Sequence, residues 1–148
     1  MSAHERTGWR DQSISEWHRE WGINCPAVDL DFVLLEYDRG EPSAVIDYKH
    51  ERARPFSSVH PTMRAISKLA TNSNIPFFIV KYTDKRKFNV LPINDFAEKS
   101  CEKYLNDPLG SKGYVDEFEF VAFLYAIRGR GHKLPDEVAF KLVHSSAI

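Results

Sequence analysis

Cysteine is scarce in this chain: 148 residues carry only Cys25 and Cys101. Two thiols so far apart supply neither a disulfide framework nor the paired spacing of a zinc site, so both read as reduced, mostly buried residues of a cytosolic protein. Glycine is also sparse, at seven residues, and none sits in a phosphate-cradling loop or a nucleophile elbow. That excludes nucleotide-binding and serine-hydrolase classes that depend on those turns. No apolar run approaches the length needed to cross a bilayer, and the opening MSAHERTGWRDQ is too polar for a signal peptide, so a cytoplasmic protein without membrane contact is expected. Charge of one sign is missing as well. A formal net charge of −1 argues against a broad polyanion-binding surface while leaving room for a local basic patch. There is no internal repeat and no low-complexity tract.

What remains is ordinary globular material, 43% hydrophobic and 28% charged, enough for one domain with a sizeable core. The most informative stretch is Val28 to Glu51, VDLDFVLLEYDRGEPSAVIDYKHE. Two runs of β-type residues flank the turn Asp38-Arg39-Gly40-Glu41-Pro42, the pattern of an antiparallel hairpin. Side chains two apart on a strand share a face, so Asp47 projects with Lys49, and Asp29 with Asp31. Folding about Arg39/Gly40 sets position 31 opposite 48 and position 29 opposite 50. Both acid pairs then meet at the open end of the hairpin, where carboxylates and one lysine suit a divalent cation. Glu36 falls in the other parity frame and reads as a surface acid.

An acid early in one strand followed by acid-x-Lys late in the next, here Ile46-Asp47-Tyr48-Lys49, resembles the PD-(D/E)xK nuclease superfamily, most of all its recombination-type exonucleases and small phage-encoded members. The resemblance covers roughly Ser13 to Leu91. It departs from the family pattern at the proline, because Pro26 lies three residues ahead of Asp29 and not directly before the acid. Asp29 and Asp31 therefore compete for the first metal position, with Asp31 favoured. The resemblance implies a metal-dependent deoxyribonuclease holding Mg²⁺ or Mn²⁺ through Asp31, Asp47, the Tyr48 carbonyl and Asp29. Lys49 would orient water or meet developing negative charge. Glu20, and less so Glu16, would be the acid that family members place on the first helix. A phage-encoded member would act in the cytoplasm of a bacterial host.

The order of elements fits that expectation. A helix from Ser13 or Ser15 to about Gly22 carries Trp17 and Trp21, which with Trp9 are expected in the core or a lid. The hairpin follows, then a helix over about Ser58–Asn72 with Met63, Ile66, Leu69 and Ala70 on its apolar face. Strands are expected at Pro76–Tyr82 and Phe88–Ile93, and a helix capped by Asn94 runs to about Leu105. After a loop at 106–113, a last main helix spans Asp116–Ile127, with a short one after Pro135. The pattern predicts a restriction-endonuclease-like α/β sandwich with a central mixed sheet flanked by helices. It forms one domain, with its core at about 13–93 and a helical C-terminal extension at about 94–148.

Substrate contacts are expected from local basic groups: His50, Arg52 and Arg54 just after the motif, and Arg64 and Lys68 one turn apart on the second helix. The Lys85-Arg86-Lys87 turn and Arg128, Arg130 and Lys133 come next. His18 and His60 are weaker candidates. DNA is the expected substrate, with RNA as an alternative, and recognition would be of ends or branched structure because no target-recognition domain is present. A homodimer is compatible with this reading. The alternatives are a nucleic-acid-binding or regulatory protein that does not cut, on a nuclease-like fold, and a small interaction module whose acids only solvate it.

Overall fold

The computed structural model describes residues 13–21, 24, 26–55, 57, 59–105, 113–130 and 141. The expectations for Trp9, Gly22, Cys25, Ser58, most of the 106–113 loop, Lys133, the Arg130 side chain and the helix after Pro135 lie outside them. The elements are α1 (Ser13–Trp21), β1 (Phe32–Glu36), β2 (Glu41–His50), α2 (Pro61–Asn72), β3 (Phe77–Tyr82), β4 (Phe88–Pro92), α3 (Asp95–Tyr104) and α4 (Glu117–Tyr125), which continues as a π-helix, Ala126–Arg130. No helix is long and apolar enough to cross a membrane among the described residues.

The four strands form one sheet in sequence order. β1 and β2 are antiparallel, β2 and β3 parallel, and β3 and β4 antiparallel. The parallel pair requires a crossover, and α2 supplies it. α2 starts with Pro61 after the N-cap His60, whose ring accepts from the Thr62 amide, and stops at Ser73. Asn74 then reverses the chain in the left-handed region at φ 60°.

Helices cover both faces of the sheet. On one, Met63, Ile66 and Ala70 of α2 pack on Val45, Phe77 and Ile79. On the other, Ala97 and Cys101 of α3, Phe120 and Phe123 of α4 and Ile127 pack on Ala44, Ile46, Phe78, Val80 and Val90. This is an α/β architecture with a mixed sheet between helices, and the C-terminal helices supply one side of its core. Phe88 stacks on Phe120 at 4.3 Å between ring centroids, and Tyr48 meets the same ring edge-on at 6.2 Å.

Asn94 knots the layers together. Its Oδ1 accepts from the Phe77 amide at 3.1 Å and the Ala97 amide at 3.0 Å, while Nδ2 donates to Thr71 Oγ1 at 3.1 Å and the Ile75 carbonyl at 3.0 Å. A buried amide satisfied on every side fixes the end of α2, the start of β3 and the start of α3 relative to one another.

Several expectations change. The hairpin turns through Tyr37–Arg39 as a single 3₁₀ turn closed by Gly40 at φ 62°, earlier than a pivot at Arg39/Gly40. β2 then bulges, since Leu34 pairs with Ala44 but Leu35 with Pro42. Ser43 is the extra residue, placed beside a proline that has no N–H to give the ladder. Beyond the bulge Phe32 pairs with Ile46, so position 31 lines up with 47 and not with 48.

Glu36 is not a surface acid: it is 1% exposed. Its Oε1 accepts from the Asp38 amide at 3.2 Å and its Oε2 lies 3.9 Å from the Arg128 guanidinium of the π-helix. Leu69 is 52% exposed, and Trp17 and Trp21 are 51% and 61% exposed. None of the three belongs to the core, because the apolar stripe of α2 ends at Ala70 and α1 buries none of its residues.

Candidate active site

The alternation of β2 decides which side chains meet. Val45 joins the cluster under α2, so Asp47 and Lys49, in the same parity, project from that face as well. Ile46 and Tyr48 point the other way, into the layer of α3 and α4. Asp47 and Lys49 form an ion pair, Lys49 Nζ to Asp47 Oδ2 at 3.4 Å, with side chains 18% and 29% exposed. Both lie in the last four residues of β2, at the carboxyl end of the parallel strand pair, where open α/β sheets place ligands.

The backbone adds a donor. The Val45 amide bonds to the Pro76 carbonyl and the Glu51 amide to the Tyr82 carbonyl, so odd-numbered residues of β2 turn their N–H and C=O toward β3. Even-numbered ones turn theirs toward β1. Pairing with β1 ends at Phe32–Ile46, which leaves the Tyr48 carbonyl on the side of β2 beyond the ladder. The Tyr48 phenol, by contrast, is buried between Phe32 and Phe120. Burial pushes its pKa up to about 12.

Asp31 and Asp29 sit on the exposed segment leading into β1. Extending the observed register puts position 31 across from Asp47 and position 29 across from Lys49, and opposed residues share a face. Among the described residues no three His, Cys, Asp or Glu side chains converge as a metal-binding group. The hard-oxygen set within reach of this corner is the Asp47 carboxylate, the Tyr48 carbonyl and an aspartate of the 29–31 segment. That set fits Mg²⁺, which keeps several waters and takes only one or two protein carboxylates. Glu16 and Glu20 lie on exposed positions of α1.

The basic candidates divide into tied and untied groups. Arg52 donates to Asp84 Oδ2 at 2.8 Å, and His50 Nε2 lies 2.9 Å from Asp84 Oδ1. His50 Nδ1 accepts from the Arg52 amide, so the proton of a neutral ring is on Nε2 and is donated to Asp84. The His50 hydrogen bond, then the nearby charges of His50 and Arg52, hold the Asp84 carboxyl below its ordinary pKa despite an opposing desolvation effect. Arg54 has no such tie among the described residues.

Arg64 and Lys68 are exposed on α2. Because α2 runs back from the end of β2, its first turn, with Arg64, lies at the level of the carboxyl ends of β2 and β3. Arg86 is paired to Glu117 at 3.2 Å. The neighbouring turn opens a shallow cleft of about 400 Å³ lined by Glu51, Thr83, Asp84, Lys85, Lys87 and Tyr114.

Two residues of this corner were not singled out from the sequence. Lys81 is the register partner of Lys49, and Asn89 that of Lys81. The signal was present in β3, where Phe77 and Ile79 define the α2 face and Lys81 continues it at the same spacing. No family model, no curated protein and no solved structure matches this chain.

Proposed function

We propose that this chain is a metal-dependent nuclease of the PD-(D/E)xK type on a restriction-endonuclease-like fold, hydrolysing phosphodiester bonds in DNA at ends or branched structures. The observation that carries the reading is the placement of Asp47 and Lys49. They lie side by side on one face of an interior strand, at its carboxyl end, next to a parallel strand reached through α2.

In this reading Asp47, the Tyr48 carbonyl and Asp31 hold Mg²⁺ or Mn²⁺, with Asp29 close by. The bound ion would lower the pKa of a water and draw charge from the phosphoryl oxygens. With that carboxylate taken up by a cation, Lys49 would be free to orient water or meet negative charge on the phosphate. His50, Arg52, Arg54, Arg64 and Lys68 supply phosphate contacts around the corner.

The alternative is a DNA-binding protein that does not cut. It draws on the same ion pair, since Asp47 faces a lysine and, among the described residues, no three acids, histidines or cysteines converge as a metal-binding group. The deciding assay gives purified protein linear, circular, single-stranded and branched DNA, and RNA, with Mg²⁺ or Mn²⁺ and a chelator control. Metal-dependent cleavage is expected, abolished in Asp47→Ala and Lys49→Ala proteins that melt like the parent. Asp31→Asn should weaken metal binding more than Asp29→Asn. Cleavage in excess chelator, or by folded Asp47→Ala protein, overturns the reading. Metal-independent binding without cleavage favours the alternative.

A further inference from the structure

Lys81 is unusual among the lysines of this fold. Its register partner on β2 is Lys49 and its partner on β4 is Asn89, so neither residue directly across from it is a carboxylate. Phe77 and Ile79 fix the parity of β3 toward α2, and Lys81 follows them onto the face that carries Asp47 and Lys49. Adjacent strands are ~4.8 Å apart, so two ammonium stems rise from the sheet side by side. Like charges directly across neighbouring strands repel.

Lys49 has Asp47 beside it, whereas the Lys81 side chain makes no ion pair or hydrogen bond with any described residue and is only partly exposed. The third member of the row, Asn89, is uncharged and offers Lys81 no counter-charge. The row thus gathers two cations at the carboxyl end of the parallel pair, with Asp47 as the single acid of the two strands on this face.

We propose that Lys81 is a second phosphate-binding cation of this corner, gripping a non-bridging oxygen of the nucleic-acid backbone together with Lys49. The inference rests on the nuclease reading for the identity of the ligand, and it adds a residue on a strand that the Asp-x-Lys motif does not reach. An anion between the two ammonium groups removes their mutual repulsion, and its second oxygen has the Lys49 Nζ within the span of adjacent strands. When Asp47 turns to a metal ion, Lys49 loses its partner, and the demand for an anion at the lysine pair increases. Lys81 touches the phosphate and holds it, while proton transfer stays with the groups around Asp47.

The test measures binding and cutting separately. A labelled short DNA duplex is titrated in Ca²⁺ at several NaCl concentrations, and single-turnover cleavage is followed in Mg²⁺, for wild type, Lys81→Gln and Lys81→Arg, with melting curves for each. Lys81→Gln is expected to bind ~10-fold more weakly with a salt slope smaller by about one, and to cleave at least ~10-fold more slowly at saturating protein. Lys81→Arg should keep the slope and recover most of the rate.

A lysine that merely reaches for solvent would leave slope and rate at wild-type values in folded Lys81→Gln protein, and that result overturns the proposal. If the wild type never cleaves but Lys81→Gln still lowers the slope, the phosphate site stands and the nuclease reading fails. If the wild type cleaves and Lys81→Gln does so equally well, the reverse holds. A wild type that neither binds nor cleaves DNA removes both.

Discussion

The two halves of the sheet are built to different standards. β2 and β3 are central strands with helices on both faces, and Ala44, Val45, Ile46 and Phe77 to Val80 are all buried. β1, at the sheet edge, is the contrast. Phe32, Val33 and Leu35 of β1 are substantially exposed, as are Ile14, Trp17 and Trp21 of α1. Asp47, Lys49 and Lys81 are therefore mounted on the rigid half, and the aspartates of the 29–31 segment on the weakly supported one. The proposed metal site would have one carboxylate held by a packed strand and another that the ion itself must help to position.

Core truncations give the largest expected contrast between the halves. Phe78→Ala removes a fully buried ring packed against Phe123 and should cost ~3–5 kcal/mol. Phe32→Ala, on a half-exposed ring, should cost no more than ~1 kcal/mol. Urea unfolding of the two variants checks this. Equal losses would mean that β1 is part of the cooperative core and that the seam does not exist.

How much of this was legible in the sequence follows the same division. Elements fixed by local chemistry were readable: the hairpin, the α2 crossover, the buried Phe77 run and the Asn94 cap all lie close to where the residue pattern puts them. The register was not, because it depends on where the turn closes and on one extra residue at Ser43, and neither leaves a trace in hydrophobic alternation. That single step decides whether Asp31 shares a face with Asp47 or opposes it. Glu36 was misread because its partner, Arg128, comes from the far end of the chain. Trp17 and Trp21 lie outside the core, because two apolar residues one turn apart do not tell whether anything covers them. In the site, Asp47 and Lys49 were visible as a pair two residues apart, while Lys81 needs the parallel pairing of β2 with β3 to become their neighbour.

Alkaline titration sharpens the comparison at the seam itself. Tyr48 packs edge-on to Phe32 of β1 at 5.0 Å, and its pKa is raised from 10.0 to about 12 by burial. A phenol whose folded pKa is raised favours the folded state fully below its unfolded value and loses that contribution as pH climbs toward the folded one. The chain should thus lose stability between pH 10 and about 12 from Tyr48. At ~1.4 kcal/mol per pKa unit the upper bound is ~3 kcal/mol. Cys101, raised from 9.0 to about 12 mainly by burial and then by Glu102 and Glu98, adds a similar slope that begins lower. Urea midpoints across this range should fall less steeply in Tyr48→Phe than in wild type. Parallel curves would show that the phenol is solvated and the Phe32–Tyr48 seam open.

The smallest expected effect concerns the cations that leave the rigid half at the end of β2. Arg52 and Arg54 are both exposed, but Arg52 is held by Asp84 at 2.8 Å, so its charge is partly spent within the protein. Asp84→Asn should release it. An exposed ion pair is weak, so DNA affinity should rise by at most ~5-fold, with a salt slope steeper by up to about one. The Asp84 carboxyl has a lowered pKa, so the tie persists at neutral pH and loosens only as pH falls through that depressed value. Wild-type binding at neutral pH should accordingly stay below that of Asp84→Asn. Adding Arg52→Ala to Asp84→Asn should cancel the gain, whereas Arg54→Ala should weaken binding in either background. Identical binding by wild type and Asp84→Asn would mean that Arg52 does not face the DNA. The backbone contacts would then pass to Arg64 and Lys68 on α2, at the same end of the sheet but across the crossover from Asp84.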